Sequence, residues 1–401
     1  MNTEELLYLI WFVQTFGGGN QRISQIISAY GSPYSAYCAV TGGDALAANR
    51  ITEYEQRAAA ASSVEDSKNI LSYCERRNIK LVPDYSEEYP ERLKNIYNPP
   101  VLLFCRGKTE ILADEFSLTV VGTRHPCDYS VNVCGRLVGQ LAELGFTIAS
   151  GFAVGIDITA HLSAVRNGGK TVSVLGCGLD VDYPGQNVQY REEIMQNGVF
   201  VSEKLPLEQG SKTSFPLRNR ILSGLSLGTL VVEGSLRSGS LVTASLAVQQ
   251  GKDVFCIPAA DIFDSRFSGN SALIRDGAKY VASASDITDE YCVNYSDRLA
   301  RLSEEERHSP FFESMNPNAE RPVYDMADIS EKPAKPKPVD LSGLTEEQAA
   351  VVKYLSENGE TAADDIADAL DCDVSQLFSV LTELELMGKI SQLAGQHYSV
   401  N

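Results

Sequence analysis

The chain has 401 residues, 43% of them hydrophobic, and a formal net charge of −19. That length calls for two or three domains, and the apolar content is ample for packed cores. No apolar run approaches the roughly 20 residues of a membrane-spanning helix, and an evenly acidic surface would exclude a polyanionic partner.

The acidity is not even. Residues 118–280 carry 14 basic and 14 acidic side chains, whereas residues 339–401 carry 2 against 12. The middle of the chain is therefore free to present a local positive patch. Nine cysteines form no Cys-x-x-Cys pair, and the four histidines form no cluster with them. The pattern excludes a zinc cluster and a disulfide framework, and points to reduced thiols with no metal and no cofactor.

Residues 1–84 read as a helical module. Leu6, Leu7, Ile10 and Val13 recur at helical spacing, and Ile23, Ile26 and Ile27 do so after Gly17-Gly18-Gly19. The Gly-rich joint, the short helix and Tyr30-Gly31-Ser32-Pro33 resemble a SAM or helix-hairpin-helix module; a plain helical cap is the alternative. The apolar run Leu6–Val13 lacks a basic flank and is too short for a signal peptide, so a cytoplasmic protein is expected. Tyr89-Pro90 and Asn98-Pro99-Pro100 break the chain before an apolar strand at 101–104.

From residue 118 short apolar strands alternate with helical stretches, the signal of a parallel α/β sheet. Strands are predicted at 118–121, 146–149, 171–175, 199–202, 229–232 and 253–257. Several end in small residues: Gly122-Thr123-Arg124, Ser150-Gly151, Gly176-Cys177-Gly178 and Ser238-Gly239-Ser240. Small residues at the carboxyl ends of parallel strands let backbone N–H groups face an anion. The stretch Lys212-Thr213-Ser214-Phe215-Pro216-Leu217-Arg218-Asn219-Arg220 adds three cations, an amide and a ring in nine residues. Cations that pair phosphates and a ring that stacks on a base suit a single-stranded nucleic acid. A surface turn whose arginines pair with nearby carboxylates is the other reading.

Three motifs carry less. Gly168-Gly169-Lys170-Thr171 resembles the end of a phosphate-binding loop but precedes a strand instead of following one. Gly176-x-Gly178 lacks the third glycine of a dinucleotide fingerprint. Asp157 and His161, four apart on one helix, suggest a structural hydrogen bond rather than an acid–base or metal pair.

Taken in order, the loops resemble the DNA-processing protein A (DprA, also called Smf) family. The resemblance rests on Val120-Val121-Gly122-Thr123-Arg124, Ser150-Gly151-x-Ala153-x-Gly155-Ile156-Asp157, Gly176-Cys177-Gly178-Leu179-Asp180-x-x-Tyr183-Pro184, Phe215-Pro216-x-Arg218-Asn219-Arg220 and Ser238-Gly239-Ser240. It implies an extended Rossmann-like α/β core over residues 85–290 that binds single-stranded DNA without cutting it. It also implies a homodimer that loads the RecA recombinase on incoming DNA during natural transformation. By position, the DNA pocket would use Arg124, Lys212, Phe215, Arg218, Asn219 and Arg220, with Ser150–Gly151 and Ser238–Gly239 offering backbone amides. The chain departs from the family at Ile257-Pro258-Ala259-Ala260 and Gly269-Asn270-Ser271, which affects the last loop.

Residues 291–340 turn charged and Pro-rich, ending in Lys332-Pro333-Ala334-Lys335-Pro336-Lys337-Pro338, and read as a linker. Residues 341–401 show three amphipathic helices and a hairpin, a winged-helix pattern. Its acidity predicts a protein contact instead of duplex DNA. Two rivals remain. One is an enzyme related to nucleotide phosphoribohydrolases, whose Pro-Gly-Gly motif is missing before Glu233. The other is a DNA-tethered regulator acting through the tail.

Overall fold

The protein is described by a computed structural model covering residues 3–296 and 344–400, except 360, 371, 373 and 394–396. It divides into two compact units, Met1–Ala319 and Glu320–Asn401. The expected linker lies largely outside the described residues.

The first unit is built on a nine-stranded sheet. In chain order its strands are β1 (Lys80–Pro83), β2 (Leu102–Gly107), β3 (Ser117–Val121), β4 (Thr147–Ser150), β5 (Lys170–Val174), β6 (Gly198–Ser202), β7 (Gly228–Val231), β8 (Asp253–Cys256) and β9 (Lys279–Tyr280). The spatial order is β1-β2-β6-β5-β4-β3-β7-β8-β9. Only β2 runs against its neighbours, pairing antiparallel with β1 and β6. From β3 the chain winds outward through β4, β5 and β6, then returns to place β7 on the other side of β3. That reversal opens a crevice at the carboxyl ends of the strands, where ligands of such sheets sit.

Strand composition follows from burial on both faces. Every residue of β3, Ser117-Leu118-Thr119-Val120-Val121, is buried, so its two polar positions are covered on both faces and need internal partners. Its threonine is satisfied internally: Thr119 Oγ1 donates to the Leu222 carbonyl at 2.7 Å. On one face the helix Asp128–Glu143 packs Leu137, Val138 and Leu141 with Leu118, Val120 and Ile148. On the other, the helix Ser214–Leu225 packs Ile221, Leu222 and Leu225 with Val172, Val174 and Val201.

The N-terminal helices pack on the sheet through a cluster of their own. Leu9, Ile10, Trp11 and Phe12 of the helix Thr3–Phe16 cluster with Leu102, Phe104, Phe152 and Phe200. The Gly-rich joint is a contact as well as a bend. A Cβ on Gly18 would fall 1.9 Å from the Glu203 carbonyl oxygen, so only glycine lets the joint seat on the loop after β6.

The second unit contains the helices Glu346–Asn358, Ala363–Leu370 and Val374–Leu386 and a small sheet. Its strands β10 (Thr361–Ala362), β11 (Ile390–Leu393) and β12 (His397–Val400) lie in the order β10-β12-β11. Val352, Leu355, Ile366, Leu381 and Leu384 form its core. Thr361 pairs with Tyr398.

Candidate nucleic-acid interface

The loops after β3, β4 and β5 converge with the start of the helix Ser214–Leu225 on one cleft, lined by Arg124, Gly151, Gly176, Tyr183, Phe215 and Arg218. Phe215 sits in the first turn of that helix, half-buried. Its ring lies against two glycine backbones. A Cβ on Gly176 would come within 2.5 Å of it, and one on Gly210 within 2.9 Å. The ring is therefore placed by packing and keeps part of its surface for a ligand.

Arg124 and Lys212 are exposed, and neither has a hydrogen-bond or ion-pair partner among the described residues. An idle guanidinium on the rim of an aromatic cleft and an idle ammonium three residues before the ring are suited to phosphate oxygens.

The other cations of the stretch behave differently. Arg218 is only 7% exposed. Its Nη1 donates to the carbonyl of Gly151 at 2.8 Å and to that of Val174, and its Nε to Asn219 Oδ1 at 3.1 Å. It ties the ends of β4 and β5 together beneath the cleft, so its Nη1 is committed to backbone carbonyls and its Nε to the Asn219 side-chain oxygen. Burial and the nearby Arg124 lower the Arg218 pKa, while Asp157 opposes that shift. Arg220 is buried in an ion pair with Glu203 at 2.6 Å. For this residue the carboxylate-pairing alternative holds, and the expectation of a DNA contact is corrected.

The expected amide cradles are also partly occupied. Ser150 is fully buried, with its Oγ donating to the Val120 carbonyl at 2.6 Å. The Gly151 N–H donates to Asp157 Oδ2 at 3.1 Å. A carboxylate thus already stands where a phosphate was expected. Ser238 and Gly239 open the helix Gly239–Gln249, and Ser238 lines a separate groove with Leu236, Leu241, Val242 and Leu246. They do not line the Phe215 cleft.

Asp157 and His161 do not pair with each other. Asp157 accepts from Gly151 and faces Arg218 across that glycine, and burial raises its pKa. His161 engages Thr171 Oγ1 through Nδ1 at 2.7 Å and Ser173 Oγ through Nε2 at 3.2 Å. Burial pushes its pKa down to about 3, so it stays neutral. Among the described residues no group of three or more His, Cys, Asp or Glu side chains is placed to hold a metal ion. Nor is any described helix long and apolar enough to cross a membrane.

Residues 80–292 match the family model described as DNA recombination-mediator protein A. The chain belongs to this family. Residues 333–396 match the DprA winged helix domain. DNA processing protein DprA of Bacillus subtilis is 38% identical over 221 residues, covering 55% of this chain and 74% of the relative. Its counterpart in Streptococcus pneumoniae is 42% identical over 203 residues, covering 51% and 71%. The X-ray structure of DNA processing protein A from Streptococcus pneumoniae superposes with a TM-score of 0.63 at 32% identity, covering 71% of this chain and 97% of that one.

Tyr183, absent from the expected site residues, also lines the cleft. Its ring centroid lies 5.2 Å from that of Phe215. Its sequence signal is the Tyr183-Pro184 pair at the end of the loop after β5.

Proposed function

We propose that the protein binds single-stranded DNA in the Phe215 cleft without cutting it, and passes the strand to the RecA recombinase. The observation that carries the reading is one cleft joining a glycine-backed, half-buried ring to an unpartnered arginine, with an unpartnered lysine on the adjoining loop. A ring reads any base by stacking, and two free cations follow the backbone, a combination indifferent to sequence. The buried carboxylate and imidazole nearby are both held in structural hydrogen bonds, which supports binding over hydrolysis. The recombination-mediator family supports the hand-over to a recombinase, as in the uptake of transforming DNA. Cytoplasmic action fits the same role.

A homodimer is part of the proposal. The groove with Leu236, which is 64% exposed, and Val242, which is 43% exposed, offers a second copy an apolar surface. The test of function is RecA-driven strand exchange on DNA precoated with single-strand binding protein. Acceleration by the wild type, lost in Phe215→Ala, supports the reading; no acceleration by the wild type overturns the RecA step. Release of free base from nucleoside monophosphates, abolished by changing Glu233, would overturn the non-catalytic reading.

A further inference from the structure

Tyr183 is 39% exposed, stands against Phe215 with the ring planes at 38°, and its hydroxyl makes no hydrogen bond among the described residues. The loop that carries this ring is firmly held. Arg191 donates to the carbonyls of Leu179 at 2.8 Å and Val181 at 2.6 Å. Asp180 accepts from the Tyr73 hydroxyl at 2.9 Å, from Arg106 at 2.8 Å and from Arg77 at 3.1 Å. The N-terminal helices, β2 and the helix Arg191–Gln196 thus all converge on three residues, Leu179 to Val181, just before the exposed ring. Binding groups are most effective when their supports are fixed in advance.

We propose that Tyr183 is a second base-contacting residue of the cleft. Its ring would take the base next to the one on Phe215, and its hydroxyl would donate to that nucleotide. Rings with centroids 5.2 Å apart already touch, so no base enters between them. The pair forms an angled shelf that offers separate faces to successive bases. This inference rests on the single-strand reading above.

The test is fluorescence anisotropy of a labelled oligothymidylate with wild type, Tyr183→Ala, Tyr183→Leu, Tyr183→Phe and Phe215→Ala. Loss of one stacking ring corresponds to an affinity about 5- to 150-fold weaker. Tyr183→Ala and Tyr183→Leu are expected to show that loss with an unchanged salt slope, while Tyr183→Phe keeps most of the affinity. Full affinity in Tyr183→Ala and Tyr183→Leu, beside weakened Phe215→Ala, would overturn the role of Tyr183 alone. A wild type that fails to bind the oligonucleotide would overturn the underlying reading as well.

Discussion

Arg220 and Glu203 form an ion pair of 2.6 Å in which both side chains are buried, joining the helix that carries Phe215 to the loop after β6. The N-terminal joint closes over it, since a Cβ on Gly19 would meet Glu203 Oε1 at 3.0 Å and Leu217 Cδ2 at 2.6 Å. Removing one partner strands a buried charge, a loss of about 3–5 kcal/mol in comparable pairs. Arg220→Ala is therefore expected to lower the urea midpoint strongly. Because the guanidinium is not free for phosphate, the salt dependence of DNA binding by the folded fraction should not change. A reduced slope with unchanged stability would return Arg220 to the DNA surface.

Gly151 lies between Arg218 and Asp157. A Cβ there would come within 2.6 Å of both Arg218 Nη1 and Asp157 Oδ2. Neither neighbour is loose, because each is hydrogen-bonded to backbone. Gly151→Ala should destabilise the protein by about 1–3 kcal/mol, the usual scale of overpacking. Thermal unfolding of the variant within a degree of the wild type would show that the cleft floor yields more easily than its packing indicates.

His161 sets a pH dependence. Folded, its pKa is pushed down to about 3; unfolded, it takes a proton below about 6.5. The unfolded state therefore binds the extra proton between those values. This part of the stability is complete above pH 6.5 and is lost as pH falls, by up to about 1.4 kcal/mol per unit. Asp157, whose pKa burial raises, contributes with the opposite sign. Urea unfolding at pH 7.5 and 5.5 should show a steeper loss in the wild type than in His161→Gln. Equal losses would contradict the assignment.

The parallel sheet was legible because apolar runs at regular spacing end in glycine-rich loops. The six strands predicted from residue 118 onward fall within a residue or so of their observed positions. β1 and β9 were not seen. Lys80-Leu81-Val82-Pro83 is four residues closed by proline, and Lys279–Tyr280 is a two-residue edge pairing, too short for any periodicity. At the site, residue type identified the stretch from Lys212 to Arg220 but not the direction each cation points. Arg218 and Arg220 follow Phe215 by three and five positions on a helix whose other face packs on the sheet. Their burial is thus set by tertiary packing, as is the approach of Tyr183 from a distant loop.

The acidic tail has a core of its own, and its helix Val374–Leu386 carries Glu383 and Glu385 and no basic residue. Glu383 also accepts a hydrogen bond from Gln348 Nε2 at 2.8 Å. A winged helix with this charge should be repelled by duplex DNA. Residues 339–401 alone are expected to leave a duplex unshifted in an electrophoretic assay at moderate salt. A shift there would show that cations outside the helix dominate.

The most direct measurement is the affinity of the protein for a labelled single-stranded oligonucleotide across a salt series, comparing wild type with Arg124→Ala, Lys212→Ala and Phe215→Ala. Each lysine or arginine contact to a single strand contributes roughly 0.7 to the slope of log affinity against log salt. Arg124→Ala and Lys212→Ala should each lower the slope by about that amount, while Phe215→Ala should weaken binding by about 1–3 kcal/mol at constant slope. Wild-type affinity and slope in all three variants would contradict the proposed cleft.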